Sequence, residues 1–247
     1  MIQRLYWRHT VLIAFSIGLL LYLYLGPVRT QDPLYHLFAD SRGALGIPNF
    51  GDVLSNFPFL LFGFLGVHAL LNTNKTIKSK TAWLTFFVGV ILVAPGSAYY
   101  HWAPDNARLV WDRLPMTIGF MGMFVALVSE YIDYRLEKML VPFILLGLSS
   151  VVLWSTTGDL RLYIWVQAAS IFLIPIVALL YPKRYTGGEY LVLGFAAYAL
   201  AKVVEYYDPQ IFSATNGFVS GHTLKHLSAS LSPFFIMKML KTRNQLN

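Results

Sequence analysis

Eight apolar windows punctuate this chain, and they limit its fold more than any other feature. They run Thr10 to Leu25, Val53 to Leu71, Ala82 to His101, Pro115 to Asp133, Leu140 to Ser155, Leu162 to Tyr181, Tyr190 to Tyr206 and Gly221 to Leu240. A bilayer core of about 30 Å is crossed by roughly 20 helical residues, and in lipid only helices and closed barrels satisfy their own backbone. A soluble fold would have to hide all of these windows. With 56% hydrophobic and 13% charged residues, the sequence lacks the polar surface to do so. The expected fold is therefore an all-α integral membrane protein, a bundle of eight transmembrane helices, with residues 1–247 forming a single transmembrane domain. The first window follows Arg4 and Arg8, and no small-residue cleavage site closes it, so it reads as a retained span and not as a removed signal peptide.

Basic residues assign the sides. Arg4, Arg8, Lys75, Lys78, Lys80, Arg135, Lys138, Lys183, Arg184, Lys238, Lys241 and Arg243 fall on one face of the predicted bundle. The opposite loops hold Arg29, Arg42, Arg108, Arg113 and Arg161 together with most of the aspartates. Lys and Arg near span ends stay cytoplasmic, so both termini are expected in the cytoplasm. The opposite face would be periplasmic in a bacterium and lumenal in a eukaryotic secretory compartment. This asymmetry accounts for the net charge of +7 without a nucleic-acid partner. No protein partner can be inferred. The absence of cysteine excludes disulfides and thiolate metal sites.

No soluble domain, low-complexity tract or internal repeat interrupts the spans. The longest connection, Gly26 to Asp52, contains "QDPLYHLFADSRGALGIPNFGD" on the outer side and is placed to act as a lid.

Topology sorts the six histidines. His9 and His36 have no evident sequence partner, and His68 reads as a histidine bonded to a neighbouring helix. The third window runs outward to end at His101, and the eighth runs inward from His222 and His226, so these three share one depth. In "GHTLKH" the two histidines are four residues apart and project from one helical face, about 6 Å apart, which suits two imidazoles gripping one metal ion. A third imidazole would complete the three-nitrogen set of a catalytic zinc. Alone, such a pair is also common by chance. Ser97 shares a helical face with His101, and Asp112 stands at the outer boundary, where an ionisable side chain is a functional candidate. Asp112 could equally pair with Arg113 or cap the helix before Pro115. The zincin glutamate is missing, so a general base must come from elsewhere. Asp112 is the best placed, with Glu205 and Lys202 next, although these two also read as a mutual pair across one turn.

Together these pieces resemble the alkaline ceramidase family, membrane zinc hydrolases of the superfamily that also contains the adiponectin-receptor proteins. The resemblance rests on S-x-x-x-H at Ser97 and His101, on "DRLPM" from Asp112, and on H-x-x-x-H at His222 and His226. It covers about residues 40–240, including "DVLSNFPFLLFG" with its pair Ser55 and Asn56, and leaves residues 1–30 as an extra N-terminal span before a seven-helix core. It implies zinc held by His101, His222 and His226, Asp112 as proton acceptor and donor, and Ser97 as a hydrogen-bonding group beside it. The implied reaction cleaves the amide of a ceramide-like N-acyl lipid to a fatty acid and a sphingoid base. An intramembrane cavity lined by Phe59, Phe62, Tyr99, Tyr100, Phe120 and Phe124 would suit such a substrate. The family's calcium site is matched only by Asp40 and Asn49, with Arg42 among them and further acids missing, whereas calcium prefers several carboxylates. Competing readings are a receptor-like or lipid-binding member with a structural zinc site, and a transporter or redox protein using the histidines for protons or haem.

Overall fold

A computed structural model describes residues 3–246, with side chains from Trp7 onward, so the side chain of Arg4 lies outside the described part. The described chain is helical without a β-strand. Its helices are α1 (Gln3–Leu25), α2 (Phe50–Leu54), α3 (Phe57–Leu71), α4 (Lys80–Trp102), α5 (Asn106–Tyr131), α6 (Leu140–Thr157), α7 (Arg161–Leu180), α8 (Gly188–Tyr206), α9 (Asp208–Ala214) and α10 (Gly221–Thr242). Among the described residues, six segments are long and apolar enough to cross a membrane: Trp7–Leu25, Phe50–Leu71, Lys80–Trp102, Asn106–Tyr131, Tyr134–Thr157 and Arg161–Leu180. The chain is a multi-pass helical membrane protein by that measure. The seventh and eighth windows are helices too, but α8 carries Glu189, Lys202 and Glu205, and α10 carries Lys225, Lys238 and Lys241. Those charges, and in α10 also its two histidines and three serines, keep both helices outside the six.

Two local differences from the sequence reading affect the site. The fourth window begins at Pro115 by its apolarity, but the helix begins nine residues earlier. Asp105 caps it, its carboxylate accepting from the Arg108 amide at 2.7 Å. Asp112 therefore lies inside α5 and does not open it. Pro95 and Gly96, which the sequence suggests would loosen the preceding helix, sit inside an unbroken α4. A Cβ on Gly96 would meet the Trp111 carbonyl oxygen at 2.2 Å. The glycine is what lets α4 and α5 approach so closely, as small residues do between membrane helices.

The packing order explains where a cavity can form. α4 lies against α3 and α5, α5 continues to α6 and α7, and α10 joins α3 to α8. Opposite faces of this incomplete ring meet through side chains, as where Phe120 of α5 and Tyr198 of α8 meet edge to face with ring centres 5.9 Å apart. The main core, with Trp83, Phe87, Leu127, Ile174 and Ile236, fills the end farthest from the histidines. α1 packs on α7 outside the ring. Trp165 donates there to the Ser16 carbonyl at 2.9 Å, and His9 pairs with the Tyr181 hydroxyl at 2.7 Å.

Candidate metal centre

His101 ends α4, and His222 and His226 occupy the first turns of α10. Folding brings them together as the only group of at least three His, Asp or Glu side chains, among the described residues, arranged to hold a metal ion. Their ring centroids form a nearly equilateral triangle of 4.8, 4.8 and 5.0 Å. All three are buried, at 0%, 5% and 3% exposure. One donor atom from each can be chosen so that all lie within 4.8 Å of one another.

The start of α10 is held from several sides. Ser220 caps it, accepting from the Thr223 amide at 2.9 Å. Gly221 allows α10 to touch α8, since a Cβ there would meet the Val204 carbonyl oxygen at 2.2 Å. Asp208, at the head of α9, accepts from the His222 amide at 2.7 Å and from the Ala39 amide at 2.9 Å, tying the outer loop to the histidine turn. Phe38 of that loop lies over the His101 and His222 rings at 4.7 and 4.3 Å. The long loop does cover this end of the bundle.

The donor chemistry fits a metal. His222 Nε2 and His101 Nε2 are 3.3 Å apart. Two nitrogens of a tetrahedral zinc site with Zn–N bonds of about 2.0–2.1 Å are separated by about 3.3–3.4 Å. Lys225 Nζ lies 2.9 Å from His222 Nε2, and an ammonium can only donate, so that nitrogen is the acceptor of its ring, and a metal would take its lone pair in place of the lysine. His226 Nδ1 hydrogen-bonds Ser55 Oγ at 2.8 Å, which orients the ring and leaves Nε2 for the cluster. His101 Nδ1 is buried without a partner.

One cavity of about 250 Å³ opens beside the triad, with Ser97, Asp112, Lys225 and His226 in its wall. The Ser97 hydroxyl is in hydrogen-bonding reach of the Asp112 carboxylate. Asp112 neither caps a helix nor pairs with Arg113, so neither alternative structural role applies. Glu205 and Lys202 do pair, at 2.7 Å, and Lys225 joins the same carboxylate at 3.2 Å. Of the aromatic residues anticipated as cavity wall, Phe59 and Phe120 are in it. Phe62 packs on Phe234 and Phe124 on Phe143, while Tyr100 stacks on His36 and Tyr99 is half exposed. The cavity's inner wall is instead completed by Phe86, Val90, Met123, Leu191 and Ile236.

Asp40 and Asn49 have other partners. Both Asp40 carboxylate oxygens accept from Arg42, at 2.7 and 2.8 Å, which holds this carboxyl below the usual carboxylate range. Asn49 donates its side-chain amide to the His101 carbonyl at 2.8 Å. A calcium ion at Asp40 would have to displace the guanidinium. His36, which shows no partner in the sequence, bonds the Tyr100 hydroxyl at 2.9 Å and Asn106 at 3.0 Å. His68 bonds Asn72 of its own helix end at 3.1 Å, not a neighbouring helix. Lys225, Asp208 and Phe38 were missed as site residues. Of these, only Lys225 carried a local signal, three residues after His222 and so on its helical face.

Neither models of known protein families nor the characterised proteins searched gave any match to this chain.

Proposed function

We propose that this protein is an intramembrane zinc amidohydrolase that cleaves the amide of ceramide-like N-acyl lipids to a fatty acid and a sphingoid base. One observation carries the reading: a buried triangle of imidazoles borders, through His226, a largely apolar cavity whose wall also holds an acid, Asp112, that forms no ion pair or helix cap among the described residues. His101, His222 and His226 would hold the metal. Zinc, when bound there, supplies Lewis acidity toward a carbonyl oxygen and activates water.

The chain's own residues account for the remaining steps. Asp112 accepts the proton of the attacking water as the new C–O bond forms, then passes it to the amine nitrogen as the C–N bond breaks. Ser97 orients that carboxylate. The apolar arm of the cavity receives an acyl chain: along α4 its wall runs from Ser97 to Phe86, a rise of about 16 Å at 1.5 Å per residue. That length favours a long chain over a short one. The polar groups cluster at the other end, so the amide would lie at the histidines while its tails remain among the helices.

The test is mass-spectrometric detection of fatty acid released from N-acyl sphingoid lipids by purified, zinc-containing protein. Release that disappears in His226→Ala supports the proposal. Full zinc with no turnover on any lipid amide would instead indicate a lipid-binding protein with a structural metal.

A further inference from the structure

Arg113 stands out among the cavity's charged groups because it forms no ion pair among the described residues. Its side chain lines the cavity and is 6% exposed, and no carboxylate lies within ion-pair distance of it among the described residues. Its sequence neighbour Asp112 is directed to Ser97, and Glu205 is taken by Lys202 and Lys225. The guanidinium is instead held in an aromatic cage, 4.0 Å from the Trp154 ring centre and 4.7 Å from that of Tyr163. Nη2 donates to Gln31 Oε1 at 2.6 Å, whereas Nη1 is buried with no hydrogen-bond partner. Cation–π contact offsets part of the cost of burying the charge, but an unmet N–H in such a place still costs about 1–3 kcal/mol. The polar end of the cavity thus holds three cations, Arg113, Lys202 and Lys225, against two carboxylates, Asp112 and Glu205.

We infer that the cavity takes an amphiphile bearing a carboxylate, whose charge is met by the free Nη1 edge of Arg113. The apolar arm supplies the site for the tail. The cage and Gln31 hold the guanidinium plane in place before the ligand arrives, which lowers the ordering cost of binding. A planar fork of N–H donors matches a carboxylate better than a hydroxyl headgroup. This rests on the lipid cavity and amide chemistry of the hydrolase reading and replaces its sphingoid half: the amine half of the substrate would carry the anion, as in an N-acyl amino acid.

The experiment compares binding of N-lauroylglycine and N-lauroylethanolamine, which share amide and tail and differ in carboxylate against hydroxymethyl. It uses full-length protein in neutral detergent, both metal-depleted and zinc-loaded. Laurate and free glycine serve as further arms that separate the amphiphile from its detached acid and headgroup. The metal-depleted wild type should prefer N-lauroylglycine by at least about tenfold, in keeping with a charge-assisted hydrogen bond. In Arg113→Gln the preference should fall to within about twofold with N-lauroylethanolamine binding unchanged, and Arg113→Lys should retain part of it. Free glycine should bind weakly. Equal affinities in the wild type, or a preference that survives Arg113→Gln, would overturn the inference, and the wild-type comparison holds whether or not a variant folds. A carboxylate preference without hydrolysis of either amide would leave the inference standing and remove the hydrolase reading. Hydrolysis of both amides with equal affinity would do the reverse.

Discussion

Two buried polar clusters sit about 27 Å apart along α5, by the rise between Asp112 and Glu130, and they differ in how far they satisfy themselves. At one end Glu130 receives both Arg243 terminal nitrogens at 2.6 Å and the Trp83 indole at 2.8 Å, while Tyr185 stacks on the same guanidinium at 4.3 Å. Both carboxylate oxygens are taken, and the C-terminal segment is thereby fastened to α5. At the other end, three histidine nitrogens face one another, His101 Nδ1 and Arg113 Nη1 have no partner, and a cavity opens alongside. A polar cluster that serves only the fold closes on itself. One that serves a ligand leaves donors and lone pairs directed inward at a cost to stability.

Substitutions should separate the two clusters by what they damage. Asp112→Asn should lower kcat on a lipid amide by about 10²–10⁴-fold while zinc content stays at the wild-type level, measured by elemental analysis beside turnover. Loss of the metal in that variant would show Asp112 supporting the ligands and not moving protons. Glu130→Ala should act on stability instead, by about 3–5 kcal/mol, because it strands the buried Arg243 charge. In denaturant titration its folded fraction should keep zinc, and an unchanged midpoint would show that the Glu130 cluster is not a fastening.

A smaller effect is expected from Ser55→Ala, which removes the hydrogen bond that orients His226. Zinc affinity should fall by about 10–100-fold in a chelator competition, with the fold intact. Wild-type affinity would mean that helix packing alone sets the ring. The smallest effect belongs to an exposed pair at the Glu130 end. Arg135 hydrogen-bonds Asp133 and holds its carboxyl at about 2, below its unfolded value of about 3.9. Between those values the unfolded chain binds more protons, so the pair's contribution is full above about pH 4 and fades as pH falls through about 2. The melting-temperature gap between wild type and Asp133→Asn should therefore narrow on acidification across that window. A constant gap would show that the pair contributes nothing.

The histidine triangle was legible in the sequence because helix period and alternating span direction place His101, His222 and His226 at one end whatever the packing details. The extent of α5 was not, since apolarity marks where lipid-facing residues begin and the Asp105 cap lies outside that signal. Partners made across the fold were equally hidden: Tyr100 for His36, Tyr181 for His9, Asp208 for the His222 turn, and the aromatic cage around Arg113. The covering role of the Gly26 to Asp52 loop could be anticipated from its length and composition, but not that Phe38 would be the residue laid over the imidazoles.

The central claim is that the three histidines hold a zinc ion. X-ray absorption spectroscopy of the purified protein, combined with elemental analysis, tests it most directly. The account predicts about one zinc per chain with three imidazole nitrogens at about 2.0–2.1 Å, and loss of that zinc in His222→Ala. A wild-type protein that cannot be loaded with any divalent metal, or His222→Ala retaining a full complement with an unchanged spectrum, would contradict it.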